Sequence, residues 1–346
     1  MNHATTTPEI TILTLPVPDG LGALQQQLWL TGRHLDYWRR GHRPPRYSGH
    51  YAVTRSITEG LARTKLSVNY NPLRTDEVAE RVHVVASVQA LRQMIRWKQK
   101  GIIRQLTCGP NIAVRSSDCN SILASPEIDA VVNHVEWACD FWAMDHPELR
   151  SRCLCWAAGV DVAFWKPMDN SQRSHILVFD KRREDQDPER VKPYITYLKE
   201  SGWPVDILTR CGRQGYTLEQ YRFLLHRAAM MVGFTVGSES QGIAWAEAWA
   251  ADVPTLILQQ TENVYQELRY RCNTAPFLTP STGVFFDDFY DFQRQFEQWQ
   301  QGRYAFHPRQ WVLEHMNDEV CACNLYEKLI NLAQYLLCQP AEERSR

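Results

Sequence analysis

One stretch of the sequence, residues 229–258, constrains the fold more than any other. Apolar runs at 229–235 and 254–258 have the length and content of buried strands. Between them lie a glycine-bearing loop and an alanine-rich helical segment. The order strand, loop, helix, strand is the unit of a parallel α/β sheet, since parallel neighbours need a crossover connection. Such sheets bind ligands where the carboxyl ends of strands meet helix N-termini, so the loop predicts a ligand site.

The residues of this loop and helix indicate the kind of ligand. Gly242 lets the backbone approach a ligand closely, and the N–H groups of Ile243 and Ala244 can face an anion. Glu239 lies before the glycine, and Glu247 lies inside the helix. A carboxylate can accept hydrogen bonds from a pair of sugar hydroxyls. The loop thus offers backbone N–H groups that can bind phosphate and, beside them, carboxylates that can bind hydroxyls. This combination predicts a nucleotide-sugar site.

The same residues resemble the motif of a known family. The Glu-x7-Glu spacing, followed by Ala-Trp-Ala-Ala-Asp-Val-Pro, resembles the donor-site motif of retaining GT-B glycosyltransferases of the group 1, family 4-like kind. Asp252 stands where that motif usually has glycine. The resemblance implies that Glu239 faces the donor sugar and that Glu247 holds the ribose. The alternative is that both are ordinary surface acids around a helix start.

A second match concerns domain organisation. Residues 156–167, with Gly-Val-Asp and a later Trp-Lys-Pro, resemble the link between the two domains of that family. The resemblance implies an α/β fold of the GT-B type: two Rossmann-like, doubly wound parallel-sheet domains facing a cleft, with a C-terminal helix crossing back. We expect an acceptor-side domain at 1–168, a nucleotide-sugar donor domain at 169–320 and the returning helix at 321–346. A length of 346 residues also favours two domains.

Basic residues follow the first strand of the predicted donor domain. Residues 176–180 form a buried strand that ends in Lys181, Arg182 and Arg183. Three cations at the carboxyl end of a strand can neutralise a diphosphate. The family places basic residues here, so we assign Lys181 and Arg182 to catalysis with Glu239, and Arg183 to donor binding. The resemblance also implies base contacts at Arg210 and Gly212. The alternative for the cations is a solvated cluster.

Acceptor-side candidates come from three loops. A glycine-bearing loop follows the first predicted strand, at 10–16, and leads into a helix predicted from residue 23. A basic, proline-broken segment, 39–51, runs into a predicted helix start, although a solvated loop is the equal alternative. The strand at 104–112 ends in a turn where the family commonly has a histidine, and His83 and His134 lie on other elements. The candidates are Gly20, Gly22, Gly49, His50, Tyr51 and Asn111.

Composition excludes several classes of protein. A net charge of -1 and a pI of about 6.8 give no global electrostatic basis for binding nucleic acid. Ten cysteines in so long a chain are typical of buried free thiols in a reducing compartment, and no Cys-x-x-Cys pair occurs. We find neither a secretory signal nor an apolar run of membrane-spanning length. A cytoplasmic protein is expected, with contact at a membrane surface left open.

The predicted reaction is transfer of a sugar from a nucleoside-diphosphate sugar to a hydroxyl of a glycan, a lipid-linked or a small-molecule acceptor. The family implies retained anomeric configuration, no metal and no cofactor. Asp185 and Asp187 form an Asp-x-Asp pair, but their charged setting before a helix favours capping or solvated acids. Two alternatives stay open: a GT-B sugar-nucleotide epimerase, and a non-catalytic protein that binds a sugar-nucleotide or a glycan.

Overall fold

The computed structural model describes residues 8–18, 49–168, 173–183, 186–211 and 216–337. Gly20, Gly22, Gly212 and Asp185 lie outside these residues, as does the helix predicted from residue 23. The chain divides into two compact units. The first comprises the described residues of 1–45, 58–156 and 322–346, and the second those of 46–57 and 157–321. Within the described residues, no helix is both long and apolar enough to span a membrane.

The first unit is built on a six-stranded, all-parallel sheet in the order β2-β1-β3-β4-β5-β6. Its strands are β1 Ile10–Leu13, β2 Val68–Tyr70, β3 Arg81–Val84, β4 Gln105–Cys108, β5 Ala130–Asn133 and β6 Cys153–Cys155. Helix α1 Gly49–Arg63 begins in the second unit and from Thr58 belongs to the first. The other helices between these strands are α2 Val88–Gln99 and α3 Glu136–Ala143, with short helical turns at Thr75–Glu77, Asp118–Ser121, Ile122–Ala124 and Pro147–Arg152.

Helix α2 shows how the sequence forms these crossovers. Ser87 caps its N-terminus by accepting a hydrogen bond from the Ala90 N–H. The buried residues Leu91, Met94 and Trp97 recur every third position, so they form one stripe against the sheet. The helix thus returns the chain to the start of the neighbouring parallel strand, as a crossover requires.

The second unit is built on a five-stranded, all-parallel sheet in the order β13-β10-β9-β7-β8. Its strands are β7 His175–Arg182, β8 Val205–Cys211, β9 Ala228–Phe234, β10 Thr255–Leu258 and β13 Gly283–Phe286. Two further strands, β11 Glu262–Tyr265 and β12 Leu268–Arg271, form a separate antiparallel hairpin. The helices of this unit are α4 Lys192–Glu200, preceded by a 3-10 turn at Pro188–Val191, α5 Leu218–Arg227, α6 Ile243–Ala250, α7 Phe289–Gln300 and α8 Pro308–His315. Helix α9 Asp318–Ile330 begins in this unit and from Ala322 belongs to the first unit, as does α10 Leu332–Leu337.

Both faces of the second sheet are covered, and β7 shows the alternation. Leu177 and Phe179 pack into the cluster that contains α6, while Ile176 and Val178 pack into the cluster that contains α7. Strands buried on both faces are apolar at almost every position, which is why the sequence reveals them. By the same alternation, the next two residues of β7, Asp180 and Lys181, lie on opposite faces of the sheet.

The strands predicted at 229–235, 254–258 and 176–180 are present as β9, β10 and β7. Helix α5 begins at Leu218, because Thr217 caps it by accepting from the Gln220 N–H, and it ends where β9 begins. In the described part of 321–346, where one returning helix is expected, the chain forms most of α9 and all of α10. The hairpin of β11 and β12 was not predicted. Of the cysteines described, eight are free, and five of these are buried: Cys108, Cys139, Cys153, Cys272 and Cys321.

Helix α6 lies against the sheet through one close contact. Trp245 is buried, and a Cβ atom added at Gly233 of β9 would lie 2.7 Å from its indole ring. The same indole donates from Nε1 to the Thr274 carbonyl at 2.9 Å and meets the Phe179 ring edge-on at 5.5 Å. Only glycine at position 233 leaves room for this arrangement, so the residue is set by packing.

We expect Gly233→Ala to lower the free energy of unfolding by about 1–3 kcal/mol, because the added methyl group forces the indole to shift in a packed core. Urea denaturation measures the change. Gly49→Ala is the control, since a Cβ there would meet Ile243 at an ordinary 3.7 Å. Equal stability of Gly233→Ala and wild type would contradict the packing argument.

His83 provides a prediction about pH. It is fully buried in β3, its Nδ1 lies 2.9 Å from the Thr107 Oγ1, and burial lowers its pKa from 6.5 to about 4. In the unfolded chain the imidazole protonates near its ordinary pKa, whereas in the folded chain it stays neutral. The free energy of unfolding therefore has its full value above the pKa that His83 has in the unfolded chain. It falls by roughly 3 kcal/mol as the pH drops from about 6.5 to about 4.

Urea denaturation across that pH range, compared with His83→Asn, tests this assignment. The variant should lose less stability than wild type on acidification, because asparagine does not titrate. The same pH dependence in both proteins would show that His83 is not the responsible group.

Candidate functional site

Predicted site residues of the second unit meet at the carboxyl edge of its sheet. Strands β7 and β8 pair in a register that places Lys181 directly beside Arg210. Strand β9 ends at Phe234, and the chain then passes through Glu239 to Gly242, where α6 begins. This edge is where parallel α/β sheets bind ligands.

The start of α6 depends on glycine. Gly242 is the N-cap, with φ 63°, a left-handed conformation that glycine adopts without strain. A Cβ atom at this position would also lie 2.6 Å from the indole of Trp245. The next residues, Ile243 and Ala244, are partly buried, and their N–H groups belong to the first turn, which lacks intrahelical acceptors. The turn can therefore donate to an anion.

Lys181 and Glu239 are in contact. The Lys181 Nζ donates to the Glu239 Oε1 in an ion pair that is largely shielded from solvent. The lysine comes from the end of β7 and the glutamate from the loop after β9. The Glu239 N–H also donates to the Asn273 carbonyl at 2.9 Å. The structure thus brings together two of the three residues that the sequence assigned to catalysis.

The third, Arg182, points to a different partner. It lies on the opposite face of β7, where its Nε is 3.2 Å from the Asp180 Oδ2. Asp180 is buried and also accepts from Arg190 at 2.8 Å, and Arg190 donates to the Lys181 carbonyl at 2.9 Å. Arg182 is therefore compensated by Asp180 instead of joining the Lys181–Glu239 pair. Arg183 is exposed, and its N–H donates to the Gln186 Oε1.

Glu247 is buried in α6, and Tyr216, immediately before α5, lies near it. Burial raises the pKa of the Tyr216 phenol well above its usual value, and the charges of Glu247 and Glu239 raise it further, whereas Arg210 opposes them. The Tyr216 ring meets Phe179 at 5.7 Å. Glu247, Glu239 and Arg210 therefore all lie within electrostatic reach of the Tyr216 hydroxyl.

Sequence reasoning missed Tyr216 and Arg190. The signal for Tyr216 is its position: it is the first aromatic residue of the sequence after β8, and it comes just before Thr217, the residue that caps α5. Arg190 carries no local signal, because its role depends on Asp180 and on the carbonyl groups of Lys181 and Thr235.

The predicted acceptor-side residues fall into separate places. Gly49, His50 and Tyr51 form the first turn of α1, as predicted, and Gly49 lies close to Ile243 at the start of α6. The first turn of α1 and the first turn of α6 are thus neighbours within the second unit. Asn111 belongs to the first unit, where it follows Gly109-Pro110 with φ 67°.

The two histidines nearest the turn at Gly109 are both packed inside the first unit. His83 is fully buried against Thr107. His134 is 4% exposed, and its Nδ1 lies 3.1 Å from the Trp156 carbonyl. Neither imidazole is presented to solvent in the way that a ligand-contacting group would be.

The fold has solved counterparts, although no protein-family model matches the sequence and no curated protein matches it. The apo lipopolysaccharide outer core galactosyltransferase WaaB is similar at a TM-score of 0.54 and 9% identity, over 94% of this chain and 99% of that one. A glycosyltransferase from Rickettsia africae has a TM-score of 0.54 and 8% identity, over 97% and 100%. Anabaena HepE in complex with UDP has a TM-score of 0.50 and 9% identity, over 93% and 99%.

At such low identity these likenesses establish the fold alone. Together with the two all-parallel sheets, they confirm the predicted GT-B fold class.

We expect a double-mutant cycle of Lys181→Met and Glu239→Gln to give a coupling energy of about 1–2 kcal/mol in urea denaturation, because the pair is largely shielded from water. The exposed pair Arg269–Glu262 is the control and should couple by less than about 0.5 kcal/mol. Equal coupling in the two cycles would show that Lys181 and Glu239 are not held together in solution.

Proposed function

We propose that the protein is a retaining, metal-independent glycosyltransferase that moves a sugar from a nucleoside-diphosphate sugar to an acceptor hydroxyl. The observation that carries the proposal is the Lys181–Glu239 contact beside the first turn of α6 and the buried Glu247. A cation, a row of N–H donors and two carboxylates at one sheet edge match the diphosphate, the sugar and the ribose of such a donor.

In the proposed reaction, the chain's own groups stabilise the leaving diphosphate. Negative charge grows on the diphosphate oxygen as its bond to the sugar breaks. In this proposal the Lys181 ammonium and the N–H groups of Ile243 and Ala244 receive that charge. Once the donor has displaced Glu239 from Lys181, these groups lower the barrier because they need no further rearrangement in the transition state. Arg210 adds positive charge from the neighbouring strand.

Donor binding also changes the state of Glu239. In the structure its Oε1 accepts from Lys181. A diphosphate competes for the lysine, which frees the carboxylate to accept from the hydroxyls of the donor sugar. Glu247 then holds the ribose from inside α6, with Tyr216 beside it. The ion pair thus keeps both residues in place before the donor arrives.

The solved neighbours suggest which donor to test first. HepE was solved with UDP, and WaaB is a galactosyltransferase of lipopolysaccharide. We therefore begin with uridine diphosphate sugars, and with a glycan, lipid-linked or small-molecule acceptor. The free cysteines of the described residues support a reducing compartment, and we propose the cytoplasm as the site of the reaction.

A second candidate is a protein that binds a nucleotide-sugar without transferring it. It is favoured by the burial of both His83 and His134, because neither imidazole can then take the place of the histidine that is typical of the resembled family at the turn near Gly109. Release of UDP and free hexose from a UDP-hexose, with water taking the sugar, separates these two candidates, because a protein that only binds the donor does not turn it over.

Glu247→Gln should weaken UDP binding by about tenfold or more, since the neutral amide replaces a charged hydrogen-bond acceptor of the ribose. Calorimetry or the thermal shift produced by UDP measures the loss. Glu297→Gln removes a carboxylate that accepts from the Tyr197 hydroxyl on the surface, and it should bind UDP as wild type does. If wild type binds none of UDP, GDP and ADP, the proposed function is wrong.

A further inference from the structure

The hairpin of β11 and β12 is not needed to complete the second sheet. Strands β10 and β13 pair directly with each other, from Thr255 beside Gly283 to Leu258 beside Phe286. The hairpin, which lies between them in the sequence, is an excursion from the end of β10. It therefore leaves the sheet at its carboxyl edge, where Glu239 is located.

Three side chains connect the hairpin to the loop that carries Glu239. The Asn263 Nδ2 of β11 donates to the Ser238 Oγ at 3.3 Å and to the Tyr270 hydroxyl at 3.0 Å. The hydroxyls of Ser238 and Tyr270 are themselves 3.0 Å apart. We call Ser238, Asn263 and Tyr270 the polar triad. Its members close a ring of hydrogen bonds directly beside Glu239.

The backbone is also held by contacts at Gly237 and at Glu239, the residues on either side of Ser238. Gly237 has φ 122°, and a Cβ atom there would lie 2.8 Å from the Asn263 amide. The Cys272 Sγ donates to the Gly237 carbonyl at 3.2 Å, and the Asn273 carbonyl accepts from the Glu239 N–H at 2.9 Å. Residues from β11 and from the segment after β12 thus fix the chain from 237 to 239.

The two faces of the hairpin differ. Asn263 and Tyr270 lie on the partly buried face, toward the 237–239 loop. Glu262 and Arg269 lie on the exposed face, where they form an ion pair at 3.2 Å. The contacts of Asn263 and Tyr270 with the Glu239 loop therefore come from the partly buried face, and the ion pair on the exposed face supplies a control.

We propose that the hairpin is a positioning element, in which the polar triad holds Glu239 so that its carboxylate meets the hydroxyls of the donor sugar. This inference rests on the proposed function and adds residues that the Glu-x7-Glu motif does not contain. A carboxylate displaced by even an ångström loses most of its effect on a bound substrate. The triad should therefore affect the sugar part of the donor and leave the diphosphate part unchanged.

The test compares UDP with UDP-galactose and UDP-glucose. Asn263→Ala and Tyr270→Phe should bind UDP within about twofold of wild type, because Lys181, Glu247 and the α6 N-terminus are untouched. The same variants should lose about tenfold or more in kcat for hydrolysis of the better UDP-hexose to UDP and free hexose, in which water takes the sugar. They should lose a similar factor in the affinity advantage of that UDP-hexose over UDP. Thermal unfolding without ligand verifies that each variant is folded.

Two further variants make the result specific. Arg269→Ala breaks the ion pair on the exposed face and should behave as wild type in every assay. Asn263→Asp keeps the shape of the side chain, and its carboxylate can accept from both hydroxyls of the triad. It should recover part of the rate that Asn263→Ala loses, which a general loss of stability would not produce.

The outcomes separate this inference from the proposed function. If wild type releases UDP from a UDP-hexose and the triad variants match it, the function stands and the positioning role is wrong. If the variants lose UDP affinity together with rate, the hairpin supports the whole site and the specific role of the triad is also wrong. If wild type neither binds UDP nor releases it from UDP-hexoses, both proposals fail.

Discussion

The placement of the Trp245 indole over Gly233 is the contact on which the candidate site depends. It brings α6 against β9 at a distance that no other residue at position 233 permits. Helix α6 then begins at Gly242, whose left-handed conformation and closeness to the same indole again require glycine. The position of α6 in turn determines where its N-terminal N–H groups and the buried Glu247 lie. One packing contact therefore sets the geometry of several polar groups.

The alternation of β7 divides the cations at its end into two groups. Lys181 shares the face of Phe179 and meets Glu239, whereas Arg182 shares the face of Asp180, which also holds Arg190. Each face has its own carboxylate, so the positive charges are compensated separately before any ligand is present. The face toward α6 combines a cation with helix donors, and this combination is the one suited to an anion.

Much of the second unit could be predicted because its strands are buried on both faces and are apolar almost throughout. Gly242 could be recognised from its place between a strand and a helix. Tyr216, Arg190 and the polar triad could not, because each acts through partners far away in the sequence. The hairpin was missed for a related reason: its strands are short, and exposed charged residues alternate with partly buried ones, so no continuous apolar run marks them.

The sequence by itself determined the order of strands and helices, the parallel α/β class and the neighbourhood of Glu239, Glu247 and Lys181, because local patterns of burial and glycine carry that information. Only the tertiary structure decided which cation meets which carboxylate, that His83 and His134 are enclosed, and that the hairpin holds the loop of Glu239. Those outcomes depend on strand register, on which face a side chain occupies and on contacts between distant residues. Two strand residues one position apart can thus have opposite surroundings, as Lys181 and Arg182 do.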